Sequence, residues 1–438
     1  MKVHFVGIGG IGVSALARYY LAQGWRVSGS DLTSSDITAA LKKLGARIYA
    51  GEKSLKSLMP DAVIYSPAVK DTNPELKEAR RLGIKTISYP QALGELTKLY
   101  KTIAVAGAHG KSTTTAIIGL MMIAARLDPT VIVGTKVKEF GDSNFRLGKS
   151  KYLVIEACEY DGSFLNYWPE IIVITNIEMD HMECYKSETE LMAAFEKFAR
   201  HLPKTGTLVA CGDDANVSEI LGRIEPDRMG IKKYSLAQSE SKKLRSFLKI
   251  PGEHNVENGL AALAVGRLLK ISDKKIFHSL AKYKGSWRRF DREPGMVAGK
   301  RITVVSDYGH HPTQIKMTMA AARAKWPKKK IVCVFQPHQA WRTHLLFGEF
   351  VDVFKKNPLD EVLITDIYQV AGRESAAIQK KVSSQKLARA VGGRAEYISS
   401  KEIFERLKKE IKGGEIVLVM GAGDIYELSK KLTKNFKK

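Results

Sequence analysis

Residues Gly107-Ala108-His109-Gly110-Lys111-Ser112 follow the apolar run Thr102-Ile103-Ala104-Val105-Ala106 and precede Thr113-Thr114-Thr115. These are the residue types that hold a nucleoside triphosphate. Amides of a glycine turn cradle phosphate oxygens, Lys111 neutralises the β and γ phosphates, and Ser112 offers a hard oxygen to Mg2+. The strict form of this loop has a longer spacer between its glycines, so the stretch reads as a shortened variant. A second loop, Gly7-Ile8-Gly9-Gly10-Ile11-Gly12, matches GxGxxG, with Asp31 at the end of the next apolar stretch. That spacing lets amides at a helix N-terminus meet a diphosphate while a carboxylate takes a ribose hydroxyl. It specifies a phosphate more firmly than a nicotinamide, because NAD, FAD and diphosphate sugars are all held by the same physics.

A magnesium ion needs hard oxygen ligands. Glu156 closes the apolar run Tyr152-Leu153-Val154-Ile155 and is followed by Glu159 and Asp161; a later run ends at Asn176, before Glu178, Asp180 and His181. In an open parallel sheet these residues gather beside the phosphate loop. Glu156 and His181 read as functional, whereas Glu159, Asp161 and Glu178 read as solvated loop residues. His181-Met182-Glu183-Cys184 makes no zinc half-site, since no second pair follows at zinc spacing.

The elements that must position these groups alternate. Short apolar runs at 3–6, 26–31, 62–66 and 85–88 are interleaved with helical patterns such as 12–23, which predicts βαβ units and a parallel sheet. A second segment carries strands at 102–106, 152–156 and 171–176 with helices at 113–125 and 255–269. A third, from about 293, repeats the plan at 302–306, 331–335, 361–365 and 416–420. The expected fold class is α/β in three domains: 1–98 Rossmann-like, 99–292 a P-loop-type ATPase with a mainly parallel sheet, and 293–438 Rossmann-like again.

Size and composition agree with this. At 438 residues the chain exceeds one ordinary core, and 44% hydrophobic with 26% charged residues describes folded protein. Lys and Arg number 70 against 46 Asp and Glu, a formal charge of +24, which suits anionic partners. The surplus is spread along the chain in short clusters such as Lys328-Lys329-Lys330, without a basic-aromatic repeat, so phosphate-rich small substrates are expected rather than nucleic acid. Cys158, Cys184, Cys211 and Cys333 form no CxxC pair, which fits a reducing cytoplasm. The start lacks an apolar signal region, and the longest apolar stretch, 116–125, is too short to span a bilayer, so no membrane insertion is expected.

Taken together, the motifs resemble the Mur ligase family nearly end to end. Besides the two glycine loops, the resemblance rests on Glu156-Ala157-Cys158-Glu159, Thr175-Asn176-Ile177-Glu178-Met179-Asp180-His181, Gly252-Glu253-His254-Asn255-Val256-Glu257-Asn258, Arg288-Arg289-Phe290, Asp307-Tyr308-Gly309-His310-His311-Pro312 and Gly421-Ala422-Gly423-Asp424-Ile425. It implies an N-terminal domain for a UDP-sugar, a central ATPase and a C-terminal domain for the incoming amino acid. It also reassigns the first loop: Gly7, Gly9, Gly10 and Gly12, with Asp31, would bind UDP-N-acetylmuramate. The implied reaction moves the γ-phosphate of ATP to the lactoyl carboxylate, and L-alanine then attacks the acyl phosphate, in peptidoglycan precursor synthesis. The resemblance further implies that residues 107–113 cradle ATP, that Lys111 and Arg289 hold phosphates, and that Ser112, Glu156 and His181 serve Mg2+. His254 and Asn258 would contact adenine, Asp307 the ATP ribose, and His310 with Arg342 the amino acid and the growing bond.

Several residues depart from the family pattern. Ala108 stands where the loop usually carries threonine, and Cys158 where an aspartate is frequent. Gln339 replaces a typical arginine, which puts the identity or affinity of the amino acid in question because a neutral amide cannot pair with a carboxylate as a guanidinium does. The stretch 213–249 is short for the second half of the central domain. Two alternatives stand beside the alanine reading: ligation of a whole murein tripeptide to the same sugar nucleotide, and an NAD-dependent dehydrogenase, which would leave residues 107–112 unexplained.

Overall fold

The computed structural model describes residues 1–180, 182–225, 227–370, 374, 376–434 and 436. They form two compact units, Met1–Phe247 with Glu257–Tyr283, and Leu248–Val256 with Lys284–Lys438. Unit 1 contains two sheets and unit 2 one.

The first sheet comprises β1 (Lys2–Val6), β2 (Arg26–Asp31), β3 (Arg47–Ala50), β4 (Ala62–Tyr65) and β5 (Lys85–Ser88), in the order β3-β2-β1-β4-β5. All neighbours are parallel. The order reverses at β1, so the crevice at its carboxyl end is where a ligand is expected, and residues 7–12 lie there. Val3, Phe5 and Val6 are all buried, because a central parallel strand is covered on both faces.

The second sheet comprises β6 (Lys101–Ala106), β7 (Thr130–Val137), β8 (Ser143–Arg146), β9 (Tyr152–Glu156), β10 (Ile171–Ile174), β11 (Thr207–Cys211) and β12 (Gly230–Tyr234). Its order is β12-β11-β10-β6-β9-β7-β8, parallel except for the β7–β8 pair. Because β6 is flanked by β10 and β9, the phosphate-type loop leaving β6 emerges between Thr175-Asn176 and Glu156. The short stretch 213–249 supplies helix Ala215–Arg223, the edge strand β12 and helix Glu240–Phe247.

In unit 2 the sheet comprises β13 (Asp291–Val297), β14 (Lys300–Asp307), β15 (Ile331–Phe335), β16 (Glu361–Ile364), β17 (Ala395–Tyr397) and β18 (Ile416–Met420), in the order β13-β14-β18-β15-β16-β17. Only β13–β14 is antiparallel. Its two-residue turn, Ala298-Gly299, has positive φ at both positions, the geometry that matches strand twist in a tight hairpin. β13 carries Pro294, and a proline is tolerated there because the strand lies at the sheet edge. Among the described residues, no helix is long and apolar enough to cross a membrane.

Candidate active site

The first glycine loop is folded onto its own sheet. Gly7 and Ile8 donate their amides to Ser30 O at 2.9 and 3.1 Å, and Gly10 donates to Gly7 O at 3.3 Å. Gly7 has φ +77, a conformation in which a side chain is strained. Asp31 sits where the sequence places it, but its Oδ2 accepts from Gly9 N at 2.8 Å and its Oδ1 from Thr33 N at 3.2 Å, so the carboxylate closes the loop. Helix Ile11–Ala22 starts at Gly10. A methyl on Gly12 would lie 2.8 Å from the Tyr89 hydroxyl, so this helix start and Tyr89 are in close contact.

The central loop is clamped by the strand next to it. Asn176 Oδ1 accepts from His109 N at 2.8 Å, while Asn176 Nδ2 and Thr175 Oγ1 donate to His109 O at 3.1 and 2.6 Å. A methyl on Gly107, at φ +134, would meet Thr175 Oγ1 at 2.1 Å; only glycine fits. Gly110, at φ +82, precedes helix Lys111–Ala124, and its Cα faces Asn258. Asn258 Oδ1 accepts from Thr114 Oγ1 at 3.1 Å, which ties helix Glu253–Leu268 to the loop's helix. Ser112 and Thr113 are buried in the first turn of that helix.

Lys111 Nζ donates to Gly107 O, to Ala108 O at 3.3 Å, and to both oxygens of Glu159 at 2.9 and 3.1 Å. Burial pulls its pKa down, but Glu159, Cys158 and Glu156 more than offset this, so it is raised and the ammonium stays charged. Glu159 is buried, and Glu178 Oε2 lies 2.5 Å from His109 Nε2. The expectation that these two carboxylates are solvated loop residues is therefore corrected: each holds a cationic or titratable side chain of the phosphate loop. Asp161 is exposed, as expected. The sign that the sequence offered was position alone, since both acids fall just past buried parallel strands. Glu156, at the end of β9, accepts from Gly134 N. Cys158 is pushed up to about 12 by burial and Glu159, so it is a neutral thiol. His181 lies outside the described residues.

In unit 2, Asp307 at the end of β14 accepts from Phe290 N and Gly309 N at 2.8 Å each and from Thr318 Oγ1 at 3.2 Å. These bonds pin the loop 308–311 to residue 290. Arg289 lies over the Tyr308 ring at 4.9 Å. Its neighbour Arg288 is buried, donates to Gly421 O and to Gly423 O at 3.1 Å, and has its pKa lowered by burial. Arg288 is therefore a strut between two motifs, a role that its place beside Arg289 did not suggest. His310 Nδ1 lies 3.0 Å from Tyr308 O, and the His310 ring packs edge-on to His338, which stacks on Tyr368. Arg342 donates to Gln339 Oε1 at 3.1 Å and to His338 O at 3.3 Å. His254 lies 3.1 Å from Asn255 Nδ2. Unit 1 thus brings together 107–113, Glu156 and Asn258, and gathers 7–12 with Asp31; unit 2 holds His254, Arg289, Asp307, His310 and Arg342.

Three family models match the chain: "Mur ligase family, catalytic domain" over 2–101, "Mur ligase middle domain" over 105–266 and "Mur ligase, glutamate ligase domain" over 288–423. The UDP-N-acetylmuramate–L-alanine ligase of Clostridium tetani is 38% identical over 97% of this chain and 96% of its own, and that of Alkaliphilus metalliredigens 41% over 98% and 96%. Among solved structures, the UDP-N-acetylmuramate–alanine ligase of Thermotoga maritima superposes with a TM-score of 0.81 at 27% identity, covering 100% of this chain and 99% of its own. A murein peptide ligase from Psychrobacter arcticus shares the fold at a TM-score of 0.74 and 21% identity, over 99% and 98% of the two chains. With all three family models matched in order, and relatives aligned over nearly its whole length, the chain belongs to the Mur ligase family.

Proposed function

We propose that the chain joins L-alanine to the lactoyl carboxylate of UDP-N-acetylmuramate in peptidoglycan precursor synthesis, in the cytoplasm, as an ATP-dependent, amide-forming ligase. The observation that carries this reading is the Thr175-Asn176 clamp on residues 107–112, with Lys111 held charged above a glycine turn. Full-length likeness to relatives named as alanine ligases supports the choice of amine.

A carboxylate resists attack by an amine because its oxygen is a poor leaving group; phosphorylation by ATP supplies one. The protein's part is then to position anions and neutralise charge. Residues 1–98 hold the UDP-sugar at Gly7, Gly9, Gly10, Gly12 and Asp31, residues 99–292 hold ATP, and residues 293–438 hold the amino acid. Lys111 leaves Glu159 to meet the phosphates, joined by Arg289. Asn258 and His254 take adenine. Asp307 has roughly four acceptor sites, three of which are used within its unit, and the remainder suits a ribose hydroxyl. His310 and Arg342 orient the alanine carboxylate and amine.

The donors around the central loop fit Mg2+: the Ser112 hydroxyl and the Glu156 carboxylate are hard oxygens, with His181 as a third member from sequence. The ion would supply charge neutralisation on the phosphates. Phosphate release should be followed with ATP, Mg2+ and UDP-N-acetylmuramate while L-alanine, L-serine, glycine or the murein tripeptide is added singly. An alanyl product confirms the reading; preference for the tripeptide moves the substrate and keeps the reaction; no amine-dependent turnover sinks it.

A further inference from the structure

Tyr89 opens helix Tyr89–Thr97 at the end of β5, on the carboxyl side of the first sheet. Its ring is largely enclosed, yet its hydroxyl makes no hydrogen bond to any described residue. The hydroxyl lies against Gly12: a methyl there would be 2.8 Å from Oη and 2.9 Å from Cζ. The same phenol is within electrostatic reach of Glu156 and Cys158 of the second sheet. Burial foremost, then those two neighbours, raises its pKa, so the O–H stays a donor at every physiological pH. The helix that begins at Gly10 is itself held from the second sheet, since Asn144 Nδ2 on β8 donates to Ser14 Oγ at 2.9 Å and to Ile11 O. Tyr89 and the first glycine loop are thus fixed relative to each other.

A tyrosine hydroxyl in such surroundings normally finds a partner. Gly12 leaves room for the Tyr89 phenol itself, so the hydroxyl stands at the first turn of the helix that the loop opens. We propose that Tyr89 is a substrate-binding residue whose hydroxyl donates to a diphosphate oxygen of the sugar nucleotide held by residues 7–12. This rests on the reading of that loop as the UDP site. Glycine at 12 is then required by the close approach of Tyr89.

Tyr89→Phe removes the donor and keeps the ring, and because the hydroxyl supports no other described residue its melting temperature should equal that of the wild type. Calorimetry with UDP alone, and then with UDP-N-acetylmuramate, should show both Kd values rising about tenfold, the scale of one hydrogen bond to a charged group. KM for the sugar nucleotide should rise in step, while KM for ATP and kcat at saturation hold. If Tyr89→Phe binds UDP as tightly as the wild type, the assignment of Tyr89 is overturned although the loop's role stands. If the wild type itself fails to bind UDP, the reading of the loop falls first.

Discussion

Lys111 Nζ lies 2.9 Å from Glu159 Oε2, and both side chains are largely buried, with 14% and 3% of their surfaces exposed. The lysine that must meet phosphate is therefore already engaged by a carboxylate of its own chain. Nucleotide binding exchanges one anion for another, which keeps the ammonium paired in both states. Glu159→Gln removes the competing charge. Without nucleotide the variant should be less stable by about 1.5–3 kcal/mol, the range for a hydrogen bond between charged groups. ATP should then raise its melting temperature more than it raises that of the wild type. Equal shifts on ATP addition would falsify the exchange.

The pH dependence of that step has a definite sign. The pKa of Lys111 is raised above its ordinary 10.5, so the stabilisation from its pairing is complete below that value and lost only as pH rises through the folded value. ATP affinity should therefore show no titration attributable to Lys111 between pH 6 and 9. A fall in affinity across that range that persists in Glu159→Gln and disappears in Lys111→Arg would place the lysine's titration lower than the structure does.

Gln339 carries the departure from the family that bore most on substrate choice, and its position changes the question. It has φ +69 and ψ 129, is buried, and accepts a hydrogen bond from Arg342 at 3.1 Å. The amide orients the guanidinium proposed to receive the alanine carboxylate. Gln339→Gly should relieve backbone strain of roughly 1–3 kcal/mol, while Gln339→Ala should not. Both should raise KM for L-alanine about tenfold by loosening Arg342. Denaturant titration and steady-state kinetics on the pair separate the two effects. Equal stability of the two variants removes the strain argument, and unchanged KM in both removes the orienting role.

Much of the architecture was legible in periodicity. The strands Tyr152–Glu156, Ile331–Phe335 and Ile416–Met420 have the bounds expected from their apolar runs, because a parallel strand covered on both faces must be apolar throughout, and the less buried Arg26–Asp31 and Lys85–Ser88 have the expected bounds as well. Of the strands that were not read, Thr130–Val137 and Thr207–Cys211 lie inside their sheet and the rest are edges. Asp291–Val297 contains charges, a proline and a glycine, and is a strand only because β14 offers it a ladder. Ser143–Arg146 likewise pairs through a single neighbour. In the site, residue type and order revealed the phosphate loop but not its internal partners. Glu159, Glu178 and Arg288 are charged residues on loops, which in sequence look like solvated surface. Only the fold shows that Glu159 and Arg288 are enclosed beside Lys111 and the carbonyls of Gly421 and Gly423, and that Glu178, 33% exposed, meets His109.

The cysteines give a test by reactivity. Burial pushes the Cys158 thiol up to about 12 and Cys211 up to about 11, and raises Cys333 as well. At pH 8 the thiolate fraction of Cys158 is of order one in ten thousand, and thiolates are the reactive species. With a disulfide reagent, native protein should therefore release fast colour from Cys184 alone, the other partly exposed cysteine, and the full complement only on unfolding. Rapid labelling of Cys158 in the native state, located by peptide mass, would contradict its enclosure beside Lys111.

The fit between Gly110 and Asn258 can be broken in two separable ways. A methyl at Gly110 would lie 2.3 Å from Asn258 Oδ1, and φ +82 adds backbone strain of roughly 1–2 kcal/mol for any residue with a Cβ. Asn258→Ala removes the obstacle together with the bond from Thr114, a loss of about 1 kcal/mol. In Gly110→Ala/Asn258→Ala the collision is gone and the φ term remains, so the double variant should lose less stability than the sum of the singles. ATP affinity should fall in Gly110→Ala and recover only in part in the double variant, since Asn258 is also expected to meet adenine. Strict additivity in a double-mutant cycle would mean that the loop relaxes away from Asn258 without penalty, and that the glycine is needed for its backbone angle alone.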